Sequence, residues 1–168
     1  MAKAFGVKVN QIENIEQLAG MAQDLATFVQ QAVVAGTAAH EVEREVWQRV
    51  LALGRQATGH FFQMQGDGDV GETIEMPDGE ELRRLDEPHR RTYRSIFGPF
   101  PLSRYVYGTR EGQRIEFVPF DARLELPESE YSYVLQDWAG TLSVEHAFGR
   151  TAQTLERMLG LSLPIDSL

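Results

Sequence analysis

A change of period at Gly66 constrains this chain more than any other feature of its 168 residues. Before it, apolar residues recur every three or four positions. Over residues 10–35, Ile15, Leu18, Ala22, Leu25, Val29 and Ala32 form a heptad-like seam, the signature of an α-helix with one buried side. Gly36-Thr37 interrupts it. A second run, about 38–65, sets Val42, Val46, Val50, Leu53, Ala57, Phe61 and Met64 along one side of another helix. So short a break makes the two helices antiparallel neighbours. Such a hairpin either packs on its own domain or serves as a self-association arm.

Beyond Gly66 the texture is different. GDGDVG and PDGEE are turn chemistry, rich in glycine and aspartate. Between about 72 and 119 the period drops toward two, which predicts three antiparallel strands in a meander. Tyr93, Ser95 and Phe97 alternate with Arg90, Thr92, Arg94 and Ile96; Tyr105 and Tyr107 alternate with Arg104 and Val106; Ile115 and Phe117 alternate with Arg114 and Glu116. Aligned strands then present one apolar face and one outward face carrying Arg90, Arg94, Arg104 and Arg114. Arg91 breaks this alternation.

From Pro127 the pattern returns to helix. Residues 128–139 carry Tyr131, Val134, Leu135 and Trp138 at helical spacing, with Gly140 as the expected stop. Ser143 is the expected cap of a helix reaching about Leu159, with Val144, Phe148, Ala152, Leu155 and Met158 inward. Gly160 ends it, and Pro164 suits the first turn of one more helix. That outline is a helix-turn-helix whose second helix has at most one turn before Leu168. The expected fold is α+β: a helical hairpin over 1–66, a small antiparallel sheet over 67–126, and a C-terminal helical pair over 127–168.

Charge is distributed unevenly over this frame. The chain nets −9, yet residues 83–114 hold eight arginines and no lysine against Asp86, Glu87 and Glu111, a local balance of +5. A planar guanidinium grips phosphate bidentately, as an ammonium does not. The outward face of Arg90, Arg94, Arg104 and Arg114, rimmed by Arg83, Arg84, Arg91 and Arg110, is therefore a candidate plate for the phosphate backbone of DNA. The competing reading pairs those arginines with nearby carboxylates.

Other chemistry is thinly represented. There is no cysteine, so disulfides and cysteine-based zinc sites are excluded. The start of the chain lacks the apolar core of a signal peptide, and no window approaches the ~18 apolar residues of a membrane span. A cytoplasmic protein without membrane contact is the expectation. Residues 67–78 imitate a calcium loop at Asp67, Asp69 and Asp78, but Glu72 stands where glycine is needed and the last position lacks glutamate, so a plain turn is favoured. His40, His60, His89 and His146 show no metal-ligand spacing, and no nucleotide-binding or nucleophile motif is present. Neither cofactor nor metal is expected.

Three stretches carry a family likeness: HFFQMQGDGDVG, then GPFPLSRYVYGTREGQRIEFVPFDARLELPESEYSYVLQDW, then VEHAFGRTAQTLERMLGLSLPIDSL. From about residue 58 onward the chain resembles the N-terminal region of ISKra-type insertion-sequence transposases, with YGTREGQ, PFDARLELP and YSYVLQDW the most specific phrases. The resemblance implies a non-catalytic front that recognises the ends of the insertion sequence or assembles the complex. The family's catalytic domain, of RNase H-like fold with three acidic residues and magnesium, is expected beyond Leu168. No catalytic role therefore maps onto a residue of this chain, and no enzymatic activity is expected of it. A truncated or frameshifted reading frame, a split gene and a domesticated remnant all fit. The expected partners are DNA and either a second copy or a separate catalytic subunit. The alternatives are a protein-interaction module that oligomerises and an inactive transposase remnant.

Overall fold

The computed structural model describes residues 9–109, 115–145 and 148–162. It is an α+β protein and divides into two compact units, Met1–Met64 and Gln65–Leu168. Among the described residues no helix is long and apolar enough to cross a membrane.

The first unit is a hairpin of two long helices, α1 (Val9–Ala35) and α2 (Ala39–Met64). Gly36 ends α1 in a left-handed conformation (φ +63°). The Gly36 and Thr37 amides donate back to the carbonyls of Val33 and Ala32, closing the last turn as a Schellman motif. Across the hairpin, Asn14 donates to Gln63 at 2.6 Å and Gln56 to Gln17 at 2.8 Å. The Arg49 guanidinium lies 4.7 Å from the centre of the Phe28 ring. Those pairs fix the antiparallel register.

The face each helix turns to its neighbour coincides with the expected one only in part: Leu18, Leu25, Ala32, Val42, Val46 and Leu53 lie on it, while Ile15, Ala22, Val29, Val50, Ala57, Phe61 and Met64 do not. Leu18, Met21, Leu25 and Phe28 are half-buried and Ala32 is buried, whereas Ile15, Ala19, Ala22, Ala26, Val29 and Val33 are exposed. On α2 the half-buried positions include Val42, Val46, Arg49, Leu53 and Gln56. Trp47, Val50, Phe61 and Met64 stay exposed. Each helix thus carries two apolar seams, and the sequence period alone does not say which one is covered.

The second unit holds two small sheets and three helices. Strands β1 (Thr73–Glu75), β2 (Glu81–Arg84) and β5 (Tyr107–Gly108) form one antiparallel sheet in that order. Strands β3 (His89–Ser95) and β4 (Gly98–Arg104) form the other. The single meander read from the sequence is therefore split. The chain leaves β4 at Arg104 and crosses through Tyr105 and Val106 to the first sheet, where Tyr107 pairs with Arg84. Among the described residues of the expected last strand, Phe117 forms a bridge with Tyr107; Arg110 and Arg114 lie outside the described residues.

Helix α3 (Pro119–Arg123) is a single turn that places Phe120 in the interior and Asp121 against the sheet arginines. Helix α4 spans Tyr133–Glu145 and α5 spans Phe148–Leu159. The start of α4 corrects the expected one at Glu128. Residues before Tyr133 lend their backbone to β3: the Arg94 amide donates to Glu130 at 2.7 Å, and the Ser132 amide donates to Arg94 at 2.8 Å. Ser132 then caps the helix, its hydroxyl accepting the Leu135 amide at 3.1 Å. Gly140 does not stop α4. A helix tolerates glycine for about 1 kcal/mol when tertiary packing holds it, and Leu135 and Ala139 are buried just before it. Ser143 sits inside α4, its hydroxyl donating to Ala139 at 2.6 Å rather than capping the next helix. The expected final turn at Pro164 lies outside the described residues.

The core of this unit is made by Tyr107, Phe120, Leu82, Leu135, Leu155 and Val106, all essentially without solvent contact. Tyr107 also uses its hydroxyl, accepting the Val70 amide at 3.0 Å and donating to the Gly71 carbonyl at 2.8 Å. That tethers the GDGDVG loop to β5.

Candidate nucleic-acid interface

Strand register decides where the arginines go. In the β3–β4 pair His89 opposes Arg104, Arg91 opposes Leu102, and Tyr93 opposes Phe100. Directly opposed residues share a face, and faces alternate along each strand. Arg91 and Arg104 therefore stand on the face of Leu102 and Phe100, which are buried. Arg90 and Arg94 stand on the other. The expected plate of Arg90, Arg94, Arg104 and Arg114 is not one surface, because Arg104 belongs to the opposite side from Arg90 and Arg94.

Arg91 and Arg104 converge on one carboxylate. Arg91 Nη1 lies 2.9 Å from Asp121 Oδ2, and Arg104 Nε lies 2.8 Å from Asp121 Oδ1. The three side chains are only 15%, 11% and 18% exposed, respectively for Arg91, Arg104 and Asp121. Arg91 Nη2 donates further to the carbonyls of Pro127 (2.9 Å) and Ser129 (2.6 Å), and Arg104 Nη1 to that of His89 (3.3 Å). Largely desolvated charges persist only when paired and hydrogen-bonded. These contacts make the node a structural clamp joining β3, β4, α3 and the segment before α4.

Two further arginines are engaged nearer the surface. Arg94 Nε lies 3.1 Å from Glu130 Oε1, an ion pair without hydrogen-bond alignment. Arg84 pairs with Asp69 and lays its guanidinium 4.7 Å from the centre of the Tyr105 ring. The Gly71 amide, donating to Asp69 at 3.0 Å, and the Arg84 guanidinium hold the Asp69 carboxyl below its ordinary value. The same pair raises Arg84. Asp67 and Asp69 each accept an amide two residues on, the local turn bonding characteristic of aspartate.

Arg83 and Arg90 are the exposed remainder, and among the described residues no carboxylate forms an ion pair with either. The carboxylates that bind the others, Asp69, Glu130 and Asp121, all lie outside the 83–114 segment. Segment charge alone therefore misjudged how much positive charge stands free. Sequence reasoning missed Asp121 as the organising residue. The available signal was Arg91, whose position on an apolar strand face calls for a buried partner.

Among the described residues no group of three or more His, Asp or Glu side chains is placed to hold a metal ion. A cavity of about 390 Å³ opens between α4 and α5, lined by Trp138, Leu155, Met158 and Leu159 with Asp137 at its edge. Its apolar lining and single acid suit no phosphate. Comparison with family models, with curated proteins and with solved structures finds no match.

Proposed function

We propose that this chain is a non-catalytic, DNA-binding front of a transposase-like system, docking on the phosphate backbone at insertion-sequence ends. One observation carries the reading to specific residues: in an acidic chain, Arg83 and Arg90 project from strands into solvent with no carboxylate paired to them among the described residues. The family likeness supports it from another side, because its specific phrases supply the framework of the second unit. YGTREGQ opens on Tyr107, PFDARLELP contains Phe120 and Asp121, and YSYVLQDW contains the Ser132 cap and buried Leu135.

The mechanism is sequence-independent docking. Exposed guanidinium groups displace counterions from the duplex, so affinity falls as salt rises. Arg84, Arg91 and Arg104 serve the fold, and Arg94, held by Glu130, is a secondary contact. The test is DNA affinity as a function of salt for the full chain and for the Arg83→Gln/Arg90→Gln variant. Each phosphate contact removed lowers the log–log slope by about 1, so the double variant should lose about 2. An unchanged slope, or no measurable binding at low salt, overturns the assignment. An interaction module is the second reading, and the exposed apolar side chains of the hairpin favour it.

A further inference from the structure

The hairpin of α1 and α2 is amphipathic as a whole. An α-helix advances about 100° per residue. Counted that way, Asn14 of α1 lies on the facing seam and Gln17 to one side of it, the side on which their partners Gln63 and Gln56 stand on α2. Ile15, Val29 and Val33, with Ala19, Ala22 and Ala26 between them, lie to the other side of the seam on α1. Val50, Ala57, Phe61 and Met64 fall on that same other side of α2. One face of the hairpin is thus laced by amide pairs. The opposite face is mostly apolar, with Val33 78% exposed, Ile15 56%, Met64 48% and Phe61 44%, and it carries one exposed carboxylate, Glu43, near the hairpin turn.

Its dimensions select the occupant. The stripe runs from Ile15 to Val33 on α1, ~28 Å, and from Val50 to Met64 on α2, ~22 Å, and two helices side by side span ~20 Å. The footprint is therefore ~500 Å² per copy and ~1,000 Å² for a pair, the size that marks the lower bound of a specific interface. A single amphipathic helix would cover half that width. A surface of the same length and width, with Glu43 left at its turn end, is offered by this hairpin itself, and twofold pairing of identical surfaces is the commonest route to a closed assembly. Steric fit is also self-supplied. With the twofold axis parallel to the helices, α1 of each copy faces α2 of the other, so the alanines of α1 make room for Phe61 and Met64.

We propose that this face binds a second copy of the chain, closing a four-helix bundle from two hairpins. The proposal stands apart from the DNA reading, since the face is built from residues of the first unit alone and the arginines of that reading belong to the second.

Sedimentation or light scattering of the full chain tests it. The expected mass at about 100 μM, where even a micromolar dimer is saturated, is twice that of the 19.0 kDa chain. Ala22→Glu, at an exposed position, should keep the helical circular dichroism but bring carboxylates into the twofold interface, weakening association about 100-fold or more. Asp24→Lys, off the apolar stripe, should leave the dimer intact. A wild-type chain at single-chain mass overturns the proposal. So does an assembly that survives Ala22→Glu, or one dispersed equally by both variants.

Discussion

The two units solve opposite halves of the folding problem. The first has long regular helices, 27 and 26 residues, and among its described residues fully buries only Ala32, His60 and Phe62. The second has strands of two to seven residues, a one-turn helix and two helices of 13 and 12 residues, yet removes Tyr107, Phe120, Leu82, Leu135 and Leu155 from solvent. Regular secondary structure and a closed core are separate achievements. A helix needs only local periodicity and a stop signal. A core needs side chains from distant stretches to meet, and short irregular elements allow that when specific contacts fix them. The first unit therefore has apolar surface to spare, and the second has charged groups inside.

The largest expected effect lies in those charged groups. Removing one member of a largely buried ion-pair cluster strands its partners, at about 3–5 kcal/mol. Asp121→Ala leaves Arg91 and Arg104 facing each other without an anion. Urea unfolding of the variant should lose stability by that amount in the transition of the second unit, while helical signal from the hairpin persists. A loss below about 1 kcal/mol, the worth of an exposed pair, would reassign the node to the surface category.

A pair of glycines sharpens the same contrast at a smaller scale. Gly36, ending α1, and Gly68, in the GDGDVG loop, both have positive φ, +63° and +75°. A β-carbon on Gly36 would meet nothing within 4 Å; on Gly68 it would stand 2.8 Å from Phe120 Cβ and 3.0 Å from the Phe120 nitrogen. Alanine at Gly36 should therefore cost only the left-handed strain, about 1 kcal/mol. Alanine at Gly68 should add the displacement of a core residue, for about 2–4 kcal/mol in all. Thermal or urea unfolding of the two variants checks the order. Equal losses would mean that the loop yields freely, and that Phe120 is not held against it.

What could be read in advance follows the same division. The bounds of α1 and α2 were legible because period, Gly36 and length all act locally. The covered seam was legible only in part, at Leu18, Leu25, Ala32, Val42, Val46 and Leu53, since each helix carries two apolar stripes and the choice depends on the neighbour. The α+β class was legible from the change of period. The face of Arg104 was not: the alternation was carried through Tyr105 and Tyr107 as one strand, whereas β4 ends at Arg104 and Tyr107 joins the other sheet. The start of α4 failed for a nonlocal reason, the backbone bonds between Arg94 and residues 130–132. Of the candidate site, exposure of Arg83 and Arg90 matched the reading of an outward charge, while Arg91 and Arg104 were claimed by an aspartate seventeen and more residues away.

Asp69 gives the smallest effect and the clearest sign. Its carboxyl is solvent-exposed, and its pKa is lowered first by the Gly71 amide and then by Arg84. A group whose folded pKa is depressed adds stability above its unfolded value and loses it as pH falls through the folded one. The link between the GDGDVG loop and β2 should thus be complete at neutral pH and released only below about 3.8, the ordinary value for aspartate. Carboxyl carbon shifts followed by NMR should place the Asp69 midpoint under that value. Arg84→Gln should move it upward only part of the way, because the Gly71 amide remains. A midpoint fully restored by Arg84→Gln would make the ion pair the dominant cause. The loop would then owe its shape to charge rather than to the aspartate turn that the sequence GDGDVG encodes.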